Sequence, residues 1–465
     1  MSRSICGRSG DRGRCTWTRA SLAIAALSAA LLATGSAGPL VRAQDPSPIP
    51  SVVPAASADI AATPIASPTP GTLDGIELLG RGERDPDLVV PDEDLAAAVH
   101  GNTAFAFDLY RQIASQPGNL VTGPLSISFA MAMNQMGARV ATETQTAKAM
   151  HFELPSARLA AAFDRLNREL ESVAGPKLTI SLVDQLFGQR GYPFEEPFLA
   201  TLSSHFGAPM AVVDYADPEA VRPLINAWVA SQTNERITDL VPQGALSALT
   251  RLVLVNAMYL KADWAVPFNA AFTKDRSFRL ASGKEVKVPT MSMDIAQPIA
   301  RGHGYRAIEL PYDGDRLAML IVVPSDLGAF EAGLTSDAYD AIVGSLEQDT
   351  VALTMPTFSA RTSVGLAEPL KALGITDMFD PALADLSGIS PEPGLHVDAA
   401  VHQAFVKVAE QGTEAAAATA LGDSGTSGPP PAFKVDRPFL WFIRDRETGS
   451  ILFMGRVIDP RDIVE

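Results

Sequence analysis

The sequence predicts an α+β fold, because helical and strand-like patterns are mixed along the chain and the strand-like runs gather towards its end. Its 465 residues are 47% hydrophobic, which is enough to bury the core of one large domain or of two ordinary ones. No fixed repeat period is visible, and this disfavours a solenoid or a propeller.

Residues 1–43 have the pattern of a secretory signal. Five arginines lie before residue 20, an apolar run extends from Ala20 to Ala33, and small residues follow. Cleavage is expected after Ala37 or Ala43, which predicts a secreted, extracellular protein. The alternative is an uncleaved membrane anchor, although the apolar run is short for a span. Removal of this segment changes the net charge from −16 to −21, so nucleic acid and anionic membranes should repel the protein.

Both cysteines, Cys6 and Cys15, precede that apolar run, so the mature protein would have no disulfide, thiolate nucleophile or cysteine metal site. The six histidines show no spacing typical of metal ligands, and no cofactor is expected. Residues 44–84 begin with a stretch rich in Pro, Ala, Ser and Thr and are predicted to form a flexible linker. The folded domain is predicted to span residues 85–465.

Helical patterns dominate the first part of this domain. Apolar residues from Leu95 to Ile113 recur at helical spacing, and Pro117 and Gly118 end that helix. The segment from Phe129 to Gly137 is apolar nearly all round, so this helix should be buried. Further helices are predicted at Thr142 to Met150, Ser156 to Val173, Phe194 to Phe206 and Val221 to about Glu235.

Strand patterns follow. The segment from Leu178 to Leu182 alternates, whereas the run from Thr250 to Leu260 is almost continuously apolar and suits a central strand buried on both faces. Asn256 interrupts that run, and a buried Asn is most often a satisfied structural residue. Further strands are predicted at Leu317 to Val323, Val351 to Met355, Val401 to Ala409, Phe439 to Arg444 and Ile451 to Val457.

An arm of small residues follows the strand that ends at Ala409, and it has two interpretations. Thr413 suits an N-cap, and the run from Glu414 to Ala418 suits a short exposed helix or a linker. Alternation would instead give a strand, one face of which carries only small or apolar residues and no Pro or Lys. Alanine is a poor strand former, so the arm is able to enter a sheet but is not obliged to. The inward face of that strand would carry Thr413, Ala415, Ala417, Thr419 and Leu421.

The segment Gly412 to Ala418 resembles the hinge of inhibitory serpins, the serine protease inhibitors. Pro438 to Arg444 and Leu452 to Val457 resemble the C-terminal hairpin of that family, and Gly374 to Phe379 and Ala384 to Ile389 resemble further serpin phrases. The resemblance extends over residues 95–465. It implies a large central mixed sheet, further sheets, about eight or nine helices and an exposed reactive loop at about 410–433.

The resemblance also implies roles for individual residues. Ser126, Asn256 and His402 would meet in the "shutter" under the central sheet, and Trp264 would lie at the "breach" where the arm enters. Gly123 stands where the family usually has Ser, so one shutter hydroxyl is missing. The hinge residues would be Glu410, Gly412, Thr413, Glu414, Ala415, Ala416, Ala417 and Ala418.

The function that the resemblance implies is suicide inhibition of a serine protease, which would be bound covalently by a monomeric inhibitor. The attacked bond in the family lies roughly 15 residues beyond the hinge glycine, which fits a full-length inserted strand and places the bond at Thr426–Ser427. Small residues around this bond argue against trypsin-like proteases and favour elastase-like or subtilisin-like targets.

Other functions are weaker hypotheses. A non-inhibitory serpin-like binding protein remains the alternative, although such relatives usually have bulky or charged hinge residues. Residues 422–425 spell the nucleophile motif of chymotrypsin-like proteases, but a loose Gly/Pro loop cannot hold a catalytic serine beside an oxyanion hole, so an enzyme is not expected. Glycosaminoglycan binding is not expected either, because Arg158, Arg165 and Arg168 are interleaved with acidic residues.

Overall fold

The computed structural model describes residues 76–80, 83–413 and 429–462, and these residues confirm the α+β class. They form nine α-helices and two large sheets. The helices are α1 (Asp92–Ile113), α2 (Pro124–Gly137), α3 (Val140–Ala149), α4 (Ser156–Val173), α5 (Glu196–Thr201), α6 (Pro218–Gln232), α7 (Leu327–Ala332), α8 (Ser336–Gly344) and α9 (Ala367–Ala372).

Most of the predicted helices are confirmed, and α4 has the predicted bounds. Helix α2 is buried along almost its whole length, as its apolar sequence predicts. The predicted helix from Phe194 to Phe206 is instead the short α5, followed by a π-helical turn at Leu202–Phe206. Within the described ranges, every helix is too short or too polar to span a bilayer.

The first sheet has seven strands, which are β1 (Glu77–Leu79), β3 (Leu178–Gln189), β4 (Met210–Val213), β5 (Leu252–Asp263), β11 (Phe358–Gly365), β12 (Ala399–Ala409) and β13 (Gly412–Thr413). They are arranged in the order β1-β4-β3-β5-β13-β12-β11. The sheet is mixed, since β5 pairs in parallel with β12 and antiparallel with β3.

The second sheet has nine strands, which are β2 (Leu120–Thr122), β6 (Lys274–Arg279), β7 (Glu285–Gly302), β8 (Tyr305–Pro311), β9 (Leu317–Pro324), β10 (Glu347–Pro356), β14 (Ala432–Lys434), β15 (Phe439–Asp445) and β16 (Ile451–Val457). They are arranged in the order β14-β10-β7-β8-β9-β15-β16-β2, with β6 paired to β7. The predicted hairpin is formed by β15 and β16, which pair antiparallel.

Strand β5 is the buried centre of the first sheet, as its apolar run predicts. Leu254 and Met258 pack on one side in the main core, and Val253 and Val255 pack on the other side against α6. Alternation along the strand therefore supplies two separate cores, one on each face of the sheet.

The folded part begins earlier than residue 85, so the predicted end of the flexible linker at residue 84 is wrong. Ile76 is buried, and β1 pairs antiparallel with β4 at the edge of the first sheet. Arg84 donates to both carboxylate oxygens of Glu171 at 3.0 Å. The apolar run that forms β1 is short and directly follows the Pro-rich stretch, so its sequence pattern does not distinguish it from the linker. Residues 1–75, which include the predicted signal segment, lie outside the described residues.

Candidate functional site

Strands β5 and β12 pair over only part of their length. Their parallel pairing runs from Val253 opposite Ala399 to Tyr259 opposite Phe405. Beyond that point β13 lies between them and pairs antiparallel with both. The first two residues of the arm, Gly412 and Thr413, therefore form a short strand where the two long strands separate.

Gly412 has a backbone conformation that only glycine adopts easily, with a φ of 151°. A Cβ atom at this position would lie 2.0 Å from the carbonyl oxygen of Ala262 and 2.7 Å from the Cα of Asp263. Both atoms belong to the backbone of β5 and cannot rotate away. The close approach of β13 to β5 therefore requires glycine at the hinge.

Thr413 is completely buried, and its environment includes Trp264. Its Oγ1 is hydrogen-bonded to the hydroxyl of Tyr312 at 2.8 Å, and the ring of Tyr312 stacks on Trp264 with 4.6 Å between centroids. Nε1 of Trp264 donates to the carbonyl oxygen of Ala409, and its backbone N–H donates to the carbonyl oxygen of Gln411. Burial raises the pKa of Tyr312, so its phenol remains neutral. Trp264 thus supports the turn that leads into the arm.

Glu410 fixes the same turn to the loop after β5. Its carbonyl oxygen accepts from the backbone N–H of Phe268 at 2.8 Å. Its Oε1 accepts from the hydroxyl of Thr273 at 2.7 Å. The backbone before Gly412 is therefore held on two sides.

His402 and Asn256 lie opposite each other on β12 and β5 and are joined by a hydrogen bond between Nδ1 and Oδ1. The backbone N–H of Gly123 donates to Nε2 of His402 at 3.1 Å, so Nδ1 carries the proton and donates to Asn256. Burial lowers the pKa of His402 to about 3, which keeps the imidazole neutral. This bond crosses directly between the two strands that β13 separates further along.

Asn256 extends the network to α2 and β3. Its Nδ2 donates to Ser126 Oγ at 2.6 Å and to Asp184 Oδ1, and the Ser126 hydroxyl donates to Asp184 Oδ1 at 3.2 Å. Burial raises the pKa of Asp184 well above its ordinary value, and these two donors offset only part of that increase. The predicted residues Ser126, Asn256 and His402 are therefore brought together, and the carboxyl group of Asp184 ends this series of hydrogen bonds.

Asp184 is absent from the sequence-based set of site residues. A signal for it exists, because the alternation of β3 places Asp184 on the same face as Ile180 and Leu182. An acidic residue on the apolar face of a strand needs a partner. Only the pairing of Asp184 with Asn256 across β3 and β5 reveals which partner it has.

Gly123 lacks the expected hydroxyl, and the structure shows what replaces it. In place of a side-chain hydroxyl, the backbone N–H of Gly123 donates a hydrogen bond directly to Nε2 of His402. A Cβ at Gly123 would lie 2.9 Å from Sδ of Met258 and 3.5 Å from Cε1 of His402. The side chain of Met258 fills the space in which a serine would stand.

Comparison with known proteins identifies the family. The family model described as Serpin (serine protease inhibitor) matches residues 100–460. This chain belongs to the serpin family. Leukocyte elastase inhibitor of Bos taurus is 38% identical to this serpin over 79% of this chain and 100% of that protein. Plasminogen activator inhibitor 1 of Bos taurus is 35% identical over 78% of this chain and 93% of that protein.

Solved structures show the same fold. Native protease nexin-1 with heparin superimposes on this serpin with a TM-score of 0.71 and 31% identity, over 79% of this chain and 100% of that one. Human thyroxine-binding globulin complexed with its ligand gives a TM-score of 0.72 at 28% identity, over 79% and 99% of the two chains. The serpin fold expected from the sequence is therefore confirmed.

Several predicted site residues of this serpin lie outside the described residues. They are Glu414, Ala415, Ala416, Ala417, Ala418, Thr426 and Ser427. Their roles in the arm and at the attacked bond remain predictions.

The arginines of α4 are paired with acidic side chains. Arg158 forms an ion pair with Asp94, and Arg168 forms one with Asp164. Arg165 contacts Glu169 at 3.0 Å and a second carboxylate, that of Asp92, at 2.7 Å. Each guanidinium of these three thus has a carboxylate partner on this serpin itself.

Proposed function

We propose that this serpin is a suicide-substrate inhibitor of serine proteases that traps its target by inserting the arm into the first sheet. The position of Gly412 and Thr413 between β5 and β12 carries the proposal. A longer β13 would run antiparallel to both neighbours. Insertion would then replace one parallel ladder by two antiparallel ladders, which are slightly more stable per residue.

The reaction begins as ordinary proteolysis. The serine hydroxyl of the protease attacks the carbonyl carbon of Thr426 and loses its proton to the protease base. The Thr426–Ser427 bond breaks, the amine of Ser427 leaves with a proton, and Thr426 remains as an ester on the protease. The arm is now free at its C-terminal end and can extend β13. Serpin loop insertion is a known case of strand addition.

The energy of insertion is sufficient to disturb a protease. About a dozen residues at about 3.3 Å each carry the acylated protease on the order of 40 Å. About 1 kcal/mol per ladder hydrogen bond gives on the order of 10 kcal/mol, comparable with the stability of a whole domain. Distortion of the protease's oxyanion hole would stop deacylation. The uncut inhibitor is held by a kinetic barrier.

The network of Ser126, Asn256 and His402 has a mechanical role in this proposal. The arm can advance along β5 only if β12 moves away, and this movement breaks the bond between His402 and Asn256. The network therefore delays insertion until cleavage releases the arm. Trp264 and Tyr312 hold the first inserted residues in place at the other end.

The target is proposed to be an elastase-like or subtilisin-like protease, because the residues around Thr426 and Ser427 are small. The similarity to leukocyte elastase inhibitor supports the first of these classes. The predicted signal in residues 1–43 supports action outside the cell. We propose that the inhibitor acts as a monomer.

The test is incubation of the secreted protein with pancreatic elastase and with subtilisin, followed by denaturing gels and mass spectrometry. The expected result is an SDS-stable adduct and a released peptide beginning near Ser427. Clean cleavage without an adduct, across a panel of serine proteases, would favour the non-inhibitory binding protein instead.

A further inference from the structure

A cavity of about 430 Å³ lies along one edge of β3. Strand β3 pairs with β4 only from Phe187 to Gln189, whereas it pairs with β5 from Leu178 to Gly188. Among the described residues, no strand covers the other edge of β3 from residue 178 to residue 186. The cavity occupies that edge, and its volume is in the range of sites for small organic molecules.

The walls of the cavity combine apolar and polar side chains and come from both faces of the sheet. Phe129 and Met133 of α2 and Leu170 of α4 line it on one face, together with Leu182 of β3. Trp228 of α6 lines it on the opposite face, where it packs with Phe187. The cavity therefore wraps around the free edge of β3.

Asp184 provides a carboxylate to this cavity without a counter-ion. Its Oδ1 accepts from Ser126 and Asn256, and within the described residues no hydrogen bond reaches its Oδ2. The other charged residues of the lining are Arg84 and Glu171, which bind each other at 3.0 Å. When it is ionised, the carboxylate of Asp184 therefore has no counter-ion in the cavity, which is costly for the free protein.

The indole of Trp228 is a second unsatisfied group in the lining. Trp228 is 8% exposed, and its Nε1 is buried without a hydrogen-bond partner in the part of the chain that the structure describes. Because Nε1 is enclosed by the protein, Trp228 contributes only the apolar part of its indole to the cavity. Asp184 is therefore the group in the lining through which a ligand's charge would be recognised.

We propose that this cavity is a binding site for a small organic cation with an apolar aromatic body, whose ammonium or amidinium group pairs with Asp184. The aromatic body lies among Phe129, Met133 and Leu170. Asp184 also belongs to the network of Ser126, Asn256 and His402, but the binding test measures the ligand directly and does not depend on protease inhibition.

Proton linkage gives the site a pH signature. Cation binding requires the ionised carboxylate, and burial makes Asp184 retain its proton to a higher pH than an ordinary carboxyl. The groups that face Asp184 are Ser126 and Asn256, with His402 neutral behind them. Affinity for the cation therefore rises with pH until Asp184 is fully ionised, and it falls again at the higher pH where the ligand's ammonium group loses its proton.

The experiment measures binding of 4-phenylbenzylamine and of its uncharged counterpart, 4-phenylbenzyl alcohol, to the full protein by isothermal titration calorimetry. The amine is expected to bind at least about tenfold more tightly than the alcohol, because a charge-assisted hydrogen bond contributes that much in a buried site. In the Asp184→Asn variant this preference disappears. The amide can still accept from Ser126 and Asn256, so the fold is retained.

Two further variants test whether binding depends on Asp184 and on the space beside it. Glu171→Gln removes the cavity's other carboxylate, which already pairs with Arg84, and the preference for the amine is expected to remain. Leu182→Trp fills the cavity next to Asp184 on the same face of β3, and both ligands are expected to lose binding. Equal affinity of amine and alcohol for the unmodified protein, no binding of either one, or a preference that survives in Asp184→Asn would overturn the proposal.

Discussion

Thr413 determines which residues of the arm would point inward. Its side chain is buried against Tyr312, so a continuing strand would bury every second residue after it. Ala415 and Ala417 would then face the core, and Ala416 would face the opposite side of the sheet. Small residues at these inward positions would allow the proposed insertion.

The Ala415→Arg substitution is expected to convert this serpin from an inhibitor into a substrate, since a guanidinium would have to enter the core. The stoichiometry of inhibition, measured with pancreatic elastase, should rise at least about tenfold, the penalty of one unpaired buried polar group. Glu414→Arg, at the position that the register of β13 would place beside the exposed Lys407, is the matched control and should still form the SDS-stable adduct. Unchanged adduct formation by Ala415→Arg would contradict the insertion mechanism.

A second prediction at the residue scale concerns Asp184, whose raised pKa means that folding opposes its ionisation. At a pH above the folded-state pKa this group destabilises the native state, and the effect fades as pH falls and the carboxyl is protonated. Asp184→Asn should therefore raise the thermal unfolding midpoint at pH 7.5 by on the order of 2 °C. The gain should shrink towards pH 4.

The measurement is scanning calorimetry at one scan rate, with Glu171→Gln as the control that gives no such gain. His402 must be considered in the same pH series, because its lowered pKa acts with the opposite sign. Its stabilisation is complete above about pH 6.5 and is lost as pH falls towards 3. The unmodified protein and Asp184→Asn both retain His402, so the difference between their unfolding midpoints reports the effect of Asp184. A lower midpoint for Asp184→Asn at pH 7.5 would refute the assignment.

At the scale of secondary-structure elements, the long helices and strands could be predicted from the sequence, but which strands pair with each other could not. Strand β5 and helix α4 have strong apolar periods, and both formed where these patterns lie. The edge strand β1 has only three residues, so no period distinguishes it from the preceding linker. The pairing of β5 with β12 joins segments more than 140 residues apart, and alternation carries no information about such a register.

The same limit applies to the candidate site. From local pattern alone, Asn256 is only a polar residue in an apolar strand, and the family resemblance was needed to associate it with His402 and Ser126. Asp184 was missed because its meaning depends on the alignment of β3 with β5. The close approach at Gly412 likewise depends on the neighbouring backbone of Ala262.

Helix α3 begins with a strained residue. Val140 has a φ of 49°, a left-handed conformation that is unfavourable for a β-branched side chain, and it is 74% exposed. Val140→Gly should relieve about 1–2 kcal/mol of strain with little loss of packing. Its midpoint in thermal unfolding should rise. The control is Val89→Gly at another exposed valine, 88% exposed and without positive φ, where added backbone freedom should lower the midpoint or leave it unchanged.

At the scale of the whole molecule, the first sheet is open to one more strand. Strands β5 and β12 already separate around Gly412 and Thr413, while their remaining pairing is closed by the network through His402. The uncut chain would then be less stable than its cut form, because the arm cannot complete its ladders while it is tethered at both ends.

Cleavage alone should therefore stabilise the molecule. Once a protease has cut the Thr426–Ser427 bond and dissociated, the inserted arm should contribute on the order of 10 kcal/mol of ladder hydrogen bonds. At about 2 °C per kcal/mol for a chain of this size, the unfolding midpoint should rise by on the order of 20 °C. Circular dichroism of the purified cut protein measures this shift, and cut Ala415→Arg should show little of it. If the cut protein unfolds at the temperature of the uncut one, the arm has not entered the sheet, and an SDS-stable adduct would then require another cause.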